Sequence, residues 1–167
     1  MAMRTILFVC TANLCRSPMA EVLFQEQLRE AGLDEAWRVE SAGTWAQEGF
    51  PASKNAQLAL NKRGLDLSQH RSRVVTEGML RAAGLVLVME RGHKEALRVE
   101  FPALAHKVFL LSEIAGGPAE DIHDPFGSAL EEYEASAEDI AGRLCAGFEN
   151  ILRTAESLAE EGLPREA

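Results

Sequence analysis

A short apolar segment near the start of the chain runs into a compact polar loop and then into a helix. Arg4–Cys10 (RTILFVC) has the composition of a strand that is buried on both faces. The loop 11–16 (TANLCR) follows, and apolar residues then recur at helical spacing as far as Gly32, with Ser17 as the predicted cap and Pro18 at the first helical position. A buried strand that leads at once into a helix predicts the first unit of a parallel α/β sheet.

The same alternation of strand and helix continues along the chain. It predicts a single α/β domain over residues 1–160, with a central four-stranded parallel sheet and helices on both faces, and a polar tail at 161–167. The further predicted elements are the strands Trp37–Gly43, Gly84–Glu90 and Lys107–Leu111, and the helices Ser53–Gly64, 91–99 and Leu130–Ala159.

Length, composition and charge limit the class of protein. The 167 residues, 47% of them hydrophobic, are enough for one folded domain. No stretch approaches the roughly 18 apolar residues of a membrane span, and no signal-peptide pattern precedes the first strand, so we expect a cytoplasmic protein without a membrane partner. The formal charge of −9 argues against nucleic acid as a partner.

The cysteines and histidines do not form a recognisable metal or disulfide pattern. Three cysteines are an odd number for a disulfide framework. Cys10 and Cys15 have no second Cys/His pair at zinc-finger spacing, and the four histidines are widely scattered. We expect neither a metal nor another cofactor, and we expect Cys145, among apolar residues of the last helix, to be a buried small side chain.

The loop 11–16 has the features of an anion site with a nucleophile at its base. Backbone N–H groups of a loop that enters a helix point inward, and the helix N-terminus adds about half a positive charge. Arg16 adds a planar fork of donors that matches a phosphate edge. The same positive field favours the thiolate form of Cys10, which can then attack a bound phosphoryl group.

A candidate general acid lies in the long connection 112–129. Asp124, in the segment HDPFG, precedes Pro125, which favours an extended backbone that can project the carboxyl group over a neighbouring cleft. An acid is needed there because an alkoxide or phenolate leaves poorly without a proton. We interpret the adjacent His123 as an exposed loop residue.

Together these motifs resemble one known family. CTANLCRSPMAE, the later DPFG and SAGT at residues 41–44 are similar to the low-molecular-weight protein tyrosine phosphatases over essentially the whole domain. The resemblance implies hydrolysis of protein phosphotyrosine through a phosphocysteine intermediate. It makes Cys10 the nucleophile, Arg16 the phosphate-binding arginine, Asp124 the general acid and Ser17 a hydroxyl that supports the thiolate. The residues expected to bind the substrate or its phosphate are Thr11, Ala12, Asn13, Leu14, Cys15, Arg16, Ser17 and Phe126.

The resemblance also implies supporting roles. Asn13 resembles an asparagine with a strained backbone, which asparagine tolerates better than most residues, and His70 resembles a histidine that steadies it by a hydrogen bond. Cys15 resembles a second thiol that protects the nucleophile from irreversible oxidation. Ala12 stands where glycine is usual, and we expect a negative φ there. Phe126 would form an aromatic wall.

Several alternatives remain open at this level. Protein-arginine phosphatases look nearly identical but carry threonine at the position of Leu14, which favours phosphotyrosine here. Arsenate reductases need further cysteines near the middle of the chain, and none stands between Cys15 and Cys145. A phosphocarrier or a phosphotyrosine-binding module would not need a nucleophile, an arginine and an acid together. The sequence leaves open the oligomeric state and which of Trp45 and Phe50 lines the pocket.

Overall fold

The computed structural model describes residues 3–162, which form one parallel sheet with helices on both faces, as the sequence predicts. The four strands are arranged in the order β2-β1-β3-β4, and each neighbouring pair is parallel. They are β1 (Arg4–Cys10), β2 (Trp37–Gly43), β3 (Leu85–Val88) and β4 (Val108–Leu110). The first two strands have the predicted bounds, and the other two are shorter than predicted.

Six α-helices and one 3₁₀-helix lie between and after the strands in the described part of the chain. The α-helices are α1 (Arg16–Glu30), α2 (Lys54–Asn61), α3 (Glu77–Ala82), α4 (Arg91–Glu100), α5 (Leu111–Ile114) and α6 (Leu130–Glu161), and the 3₁₀-helix is Pro102–Lys107. The sequence did not indicate α3, α5 or the 3₁₀-helix. They have only six, four and six residues, too few to show a helical period.

The alternation of side chains along β1 divides the core into two layers. Ile6 and Phe8 pack with apolar residues of α1, α2 and α6 on one face of the sheet, whereas Leu7 and Val9 pack with those of α3 and α4 on the other. Successive side chains of a strand point to opposite faces, so a strand in the middle of the sheet must be apolar throughout. This explains the unbroken apolar run at the start of the chain.

The order of the strands places the end of β1 in the middle of the sheet edge. Cys10 is opposite Gly43 of β2, and Val9 is opposite Val88 of β3. The segments that follow these three strands therefore meet at one edge. In open parallel sheets this carboxyl edge is where ligands bind.

Helix α1 begins earlier than predicted. Cys15 occupies the N-cap position, and the Met19 N–H donates to the Cys15 carbonyl oxygen at 3.1 Å. The predictions of Ser17 as the cap and of Pro18 at the first helical position are therefore wrong. The proline is tolerated because backbone N–H groups in the first turn have no partner within the helix in any case. The Ser17 hydroxyl is thereby free for another contact.

The prediction that Cys145 is buried is also wrong. Its thiol is exposed, although Leu144 beside it is completely buried. Consecutive residues of a helix are about 100° apart around the axis, so one of two neighbours can face the core while the other faces solvent.

The C-terminal end of the domain is helical farther than predicted. Helix α6 continues to Glu161, and Gly162 is its cap, so the predicted tail 161–167 begins within a helix; residues 163–167 lie outside the described part of the chain. No helix between residues 3 and 162 is long and apolar enough to cross a membrane.

Candidate active site

A cavity of about 610 Å³ opens at the carboxyl edge of the sheet. The loop 11–16 forms its base, and the segment after β2 and the loop around Asp124 form its walls. Its lining residues are Cys10, Thr11, Ala12, Leu14, Cys15, Arg16, Trp45, Ala46, Gln47, Phe50, Ser72, Asp124 and Phe126. Most of the sequence-predicted site residues therefore meet in one cavity, while Asn13, Ser17 and His70 lie behind it.

Cys10 ends β1 with its sulfur at the base of the cavity. The residue is 3% exposed, and its Sγ lies 2.9 Å from the Ser17 Oγ. The Ser17 hydroxyl, which the sequence predicts as the helix cap, is therefore close enough to donate a hydrogen bond to a Cys10 thiolate. The N-terminus of α1, whose backbone N–H groups carry partial positive charge, begins in the same loop.

Asn13 fixes the curvature of the loop. Its φ of 58° is the only positive φ of a non-glycine residue in the range 3–162, so Ala12 has the expected negative value. The buried Asn13 side chain donates to the Ser17 Oγ at 2.9 Å and to the Ser41 Oγ at 3.0 Å, and it accepts from the Arg73 N–H at 3.0 Å. A strained conformation persists only where its surroundings enforce it, and these three bonds do so.

His70 holds the same asparagine from outside the loop. Its Nε2 lies 2.7 Å from the Asn13 carbonyl oxygen, so the contact is to the backbone rather than to the side chain. Burial lowers the pKa of His70, and the hydrogen bond to Asn13 opposes that effect in part. A neutral imidazole with its proton on Nε2 satisfies this geometry.

The segment after β2 binds the backbone of the loop directly. The Thr44 and Trp45 N–H groups donate to the Cys10 and Thr11 carbonyl oxygens, both at 2.9 Å. At Gly43, a Cβ would overlap the Thr11 carbonyl oxygen and lie 2.8 Å from the Ala46 Cβ. The close approach of the two backbones therefore requires glycine at the end of β2.

Arg16 is buried, and hydrogen-bond acceptors from the segments after β3 and before α6 hold its guanidinium in place. The residue is 1% exposed; its Nη1 donates to the Ile122 carbonyl oxygen at 2.8 Å, and its Nη2 donates to the Glu90 Oε2 at 3.1 Å. The sequence pattern alone does not indicate Glu90 and Ile122 as partners of Arg16. The signal that could have found Glu90 is its place at the carboxyl edge, two residues after the end of β3.

Asp124 stands at the opening of the cavity. Its side chain is 45% exposed, and its Oδ2 lies 3.5 Å from the Arg16 Nη2. The Oδ1 accepts a hydrogen bond from the Phe126 N–H at 3.1 Å, and this bond fixes the orientation of the carboxyl group. The carboxyl group is thus beside the arginine and lines the same cavity as Cys10.

Cys15 has a different environment from Cys10. Its sulfur lies 3.3 Å from the Ser53 Oγ and donates to the Tyr133 hydroxyl at 3.6 Å. Burial raises the pKa of the Cys15 thiol, and the two hydrogen bonds oppose this only in part. Cys15 is therefore held as a neutral thiol, and both it and Cys10 are free.

Three exposed aromatic side chains surround the opening. Trp45 is 86% exposed, Phe126 63% and Phe50 50%, and all three line the cavity together with Leu14. Both candidates that the sequence left open are therefore wall residues. Within residues 3–162, no group of three or more His, Cys, Asp or Glu side chains could hold a metal ion.

Comparison with known proteins agrees with this architecture. Residues 5–162 match the model of the low molecular weight phosphotyrosine protein phosphatase family. The chain is 38% identical over 135 residues to a protein-arginine-phosphatase of Geobacillus stearothermophilus, covering 81% of this chain and 87% of that one. It is 37% identical over 134 residues to low molecular weight protein-tyrosine phosphatase A of Mycobacterium tuberculosis, covering 77% and 80%.

A solved structure shows the same fold over nearly its whole length. The low molecular weight protein tyrosine phosphatase from T. tengcongensis superimposes with a TM-score of 0.83 at 42% identity, covering 87% of this chain and 98% of that one. The family match spans almost all of the described residues, and the relatives are matched over most of their length. The chain therefore belongs to the low molecular weight phosphotyrosine protein phosphatase family.

Proposed function

We propose that this protein hydrolyses phosphotyrosine in proteins or peptides through a phosphocysteine intermediate. The observation that carries the proposal is that Cys10, Arg16 and Asp124 line one cavity, with the Cys10 sulfur 2.9 Å from the Ser17 hydroxyl. Nucleophile, anion-binding group and proton donor are the three groups that such a reaction needs.

In the first step, the Cys10 thiolate attacks phosphorus. The S–P bond forms while the bond from phosphorus to the tyrosine oxygen breaks, and Asp124 gives its proton to that oxygen. Arg16 and the backbone N–H groups of the loop 11–16 hold the equatorial oxygens, on which negative charge is spread in the transition state. The contacts of Arg16 to Glu90 and Ile122 hold the guanidinium in place before substrate binds.

In the second step, water hydrolyses the phosphocysteine. The Asp124 carboxylate accepts a proton from the water as its oxygen bonds to phosphorus, and the S–P bond breaks. Inorganic phosphate leaves and the Cys10 thiolate is restored. The hydrogen bond from Ser17 lowers the energy of the thiolate as leaving group, so the same contact serves both steps.

The walls of the cavity favour an aromatic substrate. Leu14, Trp45, Phe50 and Phe126 present apolar surface around the opening, and aromatic side chains contact a phenyl ring well in stacked or edge-on arrangements. The phosphate binds at the base of the cavity. The side chain of phosphotyrosine is long enough to place its phosphate there, whereas the shorter side chain of phosphoserine reaches the base less easily.

Phosphoarginine is the second candidate substrate, because a relative with 38% identity is a protein-arginine-phosphatase. Leu14 favours phosphotyrosine, because an apolar side chain suits a phenyl ring, whereas a guanidinium needs a polar partner. We expect at least a tenfold higher kcat/KM for a phosphotyrosine peptide than for the matched phosphoarginine peptide. Leu14→Thr should reduce that ratio. A wild-type preference for phosphoarginine would transfer the assignment to that substrate.

The two thiols suggest protection against oxidation. In this part of the proposal, a peroxide oxidises the Cys10 thiolate to a sulfenic acid, and the Cys15 thiol displaces water from it to form a disulfide. Both sulfurs border the same cavity. A reversible disulfide of this kind needs a reducing compartment for recovery, in keeping with the cytoplasm.

Gly43 offers a test of how strictly the loop 11–16 must be placed. Gly43→Ala should lower kcat/KM for para-nitrophenyl phosphate by about 10²-fold, because the new Cβ displaces the Thr11 carbonyl and with it the loop. Urea unfolding should show a loss of about 1–3 kcal/mol. Gly142→Ala is the control: its Cβ meets nothing within 4 Å in helix α6, so activity should be unchanged. Wild-type activity of Gly43→Ala would contradict the required close approach.

A further inference from the structure

A buried histidine that contacts the loop 11–16 has no role in the proposed mechanism. His93 lies in the first turn of α4 and is 5% exposed. Its Nε2 is 2.8 Å from the Thr11 Oγ1 and 3.2 Å from the Glu90 Oε2. Its Nδ1 is 3.1 Å from the Glu90 backbone nitrogen. The imidazole thus connects the residue after the nucleophile with the carboxylate that binds Arg16.

The hydrogen bonds decide where the proton of His93 lies. The Glu90 N–H can only donate, so Nδ1 must be the unprotonated acceptor. A neutral imidazole then carries its proton on Nε2, and Nε2–H donates to the Thr11 Oγ1. The Thr11 hydroxyl therefore accepts from His93, and its own hydrogen must point elsewhere.

An anion bound in the cavity would be an acceptor for the hydroxyl hydrogen of Thr11. Thr11 lines the cavity beside Cys10 and Arg16, and among residues 3–162 its Oγ1 has His93 as its one hydrogen-bond partner. A hydroxyl whose oxygen accepts on one side donates on another, and the cavity is where an anion would lie.

We propose that His93 is a positioning residue that orients the Thr11 hydroxyl as an additional donor to a bound phosphoryl oxygen. This inference rests on the proposed function, since it assigns a further contact to the same phosphate site. It gives the loop a side-chain donor besides its backbone N–H groups and Arg16. A donor that is oriented before binding needs no reorganisation when charge develops on the phosphoryl oxygens.

The electrostatic surroundings support the neutral form of His93. Burial lowers its pKa to about 4, and the nearby Arg16 adds to this effect, while Glu90, Asp121 and Asp124 oppose it. Arg16 belongs to α1, and Glu90 is the N-cap of α4. Asp121 and Asp124 lie in the loop before α6. At neutral pH the ring is therefore an N–H donor to Thr11, as the geometry requires.

Inorganic phosphate is the probe for the experiment, with para-nitrophenyl phosphate as substrate. Thr11→Val keeps the shape but removes the hydroxyl, and it should weaken phosphate inhibition and lower kcat/KM about tenfold each. Thr11→Ser keeps the hydroxyl and should stay within about twofold of wild type. His93→Leu should match Thr11→Val, and His93→Gln, whose amide can donate from nearly the same place, should recover most of the loss.

The double variant Thr11→Val/His93→Leu separates a shared role from two independent ones. We expect it to lose no more than either single variant, because both remove the same donor. Losses that multiply, or a Thr11→Val variant that binds phosphate like wild type, would overturn the inference. His106→Ala, which removes an exposed histidine of the 3₁₀-helix outside the cavity lining, is the control and should leave both constants unchanged.

Nitrogen NMR of the wild-type protein tests the same inference without any variant. The ¹⁵N shifts of His93 at neutral pH should report a neutral ring that is protonated on Nε2. A ring protonated on Nδ1 would overturn the inference even if His93→Leu failed to fold. Failure of the proposed function is distinct from either result, since the wild-type protein would then neither bind phosphate nor hydrolyse the substrate.

Discussion

Replacing Cys10 with serine is expected to reduce turnover of para-nitrophenyl phosphate by roughly 10⁵-fold while the fold survives. A serine hydroxyl is not ionised at neutral pH, and the positive field of the loop 11–16 cannot make it so. Steady-state hydrolysis measures the effect, and circular dichroism with thermal unfolding checks the fold. The phosphate site itself remains, so the variant should still bind a phosphotyrosine peptide and can retain substrates from a lysate.

Cys145→Ser is the matched control for that experiment. It makes the same chemical change at an exposed thiol on α6, outside the cavity lining, and should leave turnover unchanged. Cys15→Ser should fall between the two, since Cys15 borders the cavity but is held as a neutral thiol. Normal turnover in Cys10→Ser would contradict the phosphocysteine mechanism.

The parts of the fold that could be predicted are those whose information is local. The first strand is apolar on both faces, and the loop 11–16 leads from it directly into a helix, so the sequence predicts that Cys10 and Arg16 share one site. The resemblance of the loop 11–16 to the family motif implies the strained backbone of Asn13, and its positive φ is one that asparagine tolerates better than most residues. In each case the deciding residues are neighbours in sequence.

The contacts that orient Arg16 could not be predicted in this way. Glu90 and Ile122 are 74 and 106 residues away from it along the chain. Their approach depends on β3 lying beside β1 and on the path of the loop before α6, neither of which a local pattern specifies. His93 was missed for the same reason: a histidine in an amphipathic helix resembles an ordinary surface residue until the sheet order is known.

In the proposed mechanism, Arg16 explains how an acidic protein can bind an anion. The chain has a formal charge of −9, and Glu90 and Asp124 both lie close to the guanidinium. The attraction for phosphate is therefore confined to the loop, where backbone N–H groups, the start of α1 and one arginine act at short range. A buried guanidinium without a substrate needs a compensating charge, and Glu90 supplies it.

Asp124→Ala is expected to lower kcat for a phosphotyrosine peptide by about 10²–10³-fold. In this mechanism Asp124 protonates the oxygen that leaves in the first step and removes a proton from water in the second. Its carboxyl group is 3.5 Å from the Arg16 Nη2 and half exposed at the opening, where the leaving group of a bound phosphate would pass. Rates of single turnover separate the two steps, because only the second involves water.

The dependence on leaving group distinguishes acid catalysis from a merely structural role. A poor leaving group such as tyrosine needs the proton, whereas para-nitrophenolate leaves readily without it, so the loss in Asp124→Ala should increase with the basicity of the leaving phenol. The kcat/KM values of a series of aryl phosphates measure this slope for wild type and variant, because kcat/KM reports only the first step and not the later attack of water. Asp121→Ala is the control, since this nearby carboxylate binds Arg91 and does not line the cavity, and its slope should match wild type. An equal loss across the series would mean that Asp124 shapes the cavity rather than donating a proton.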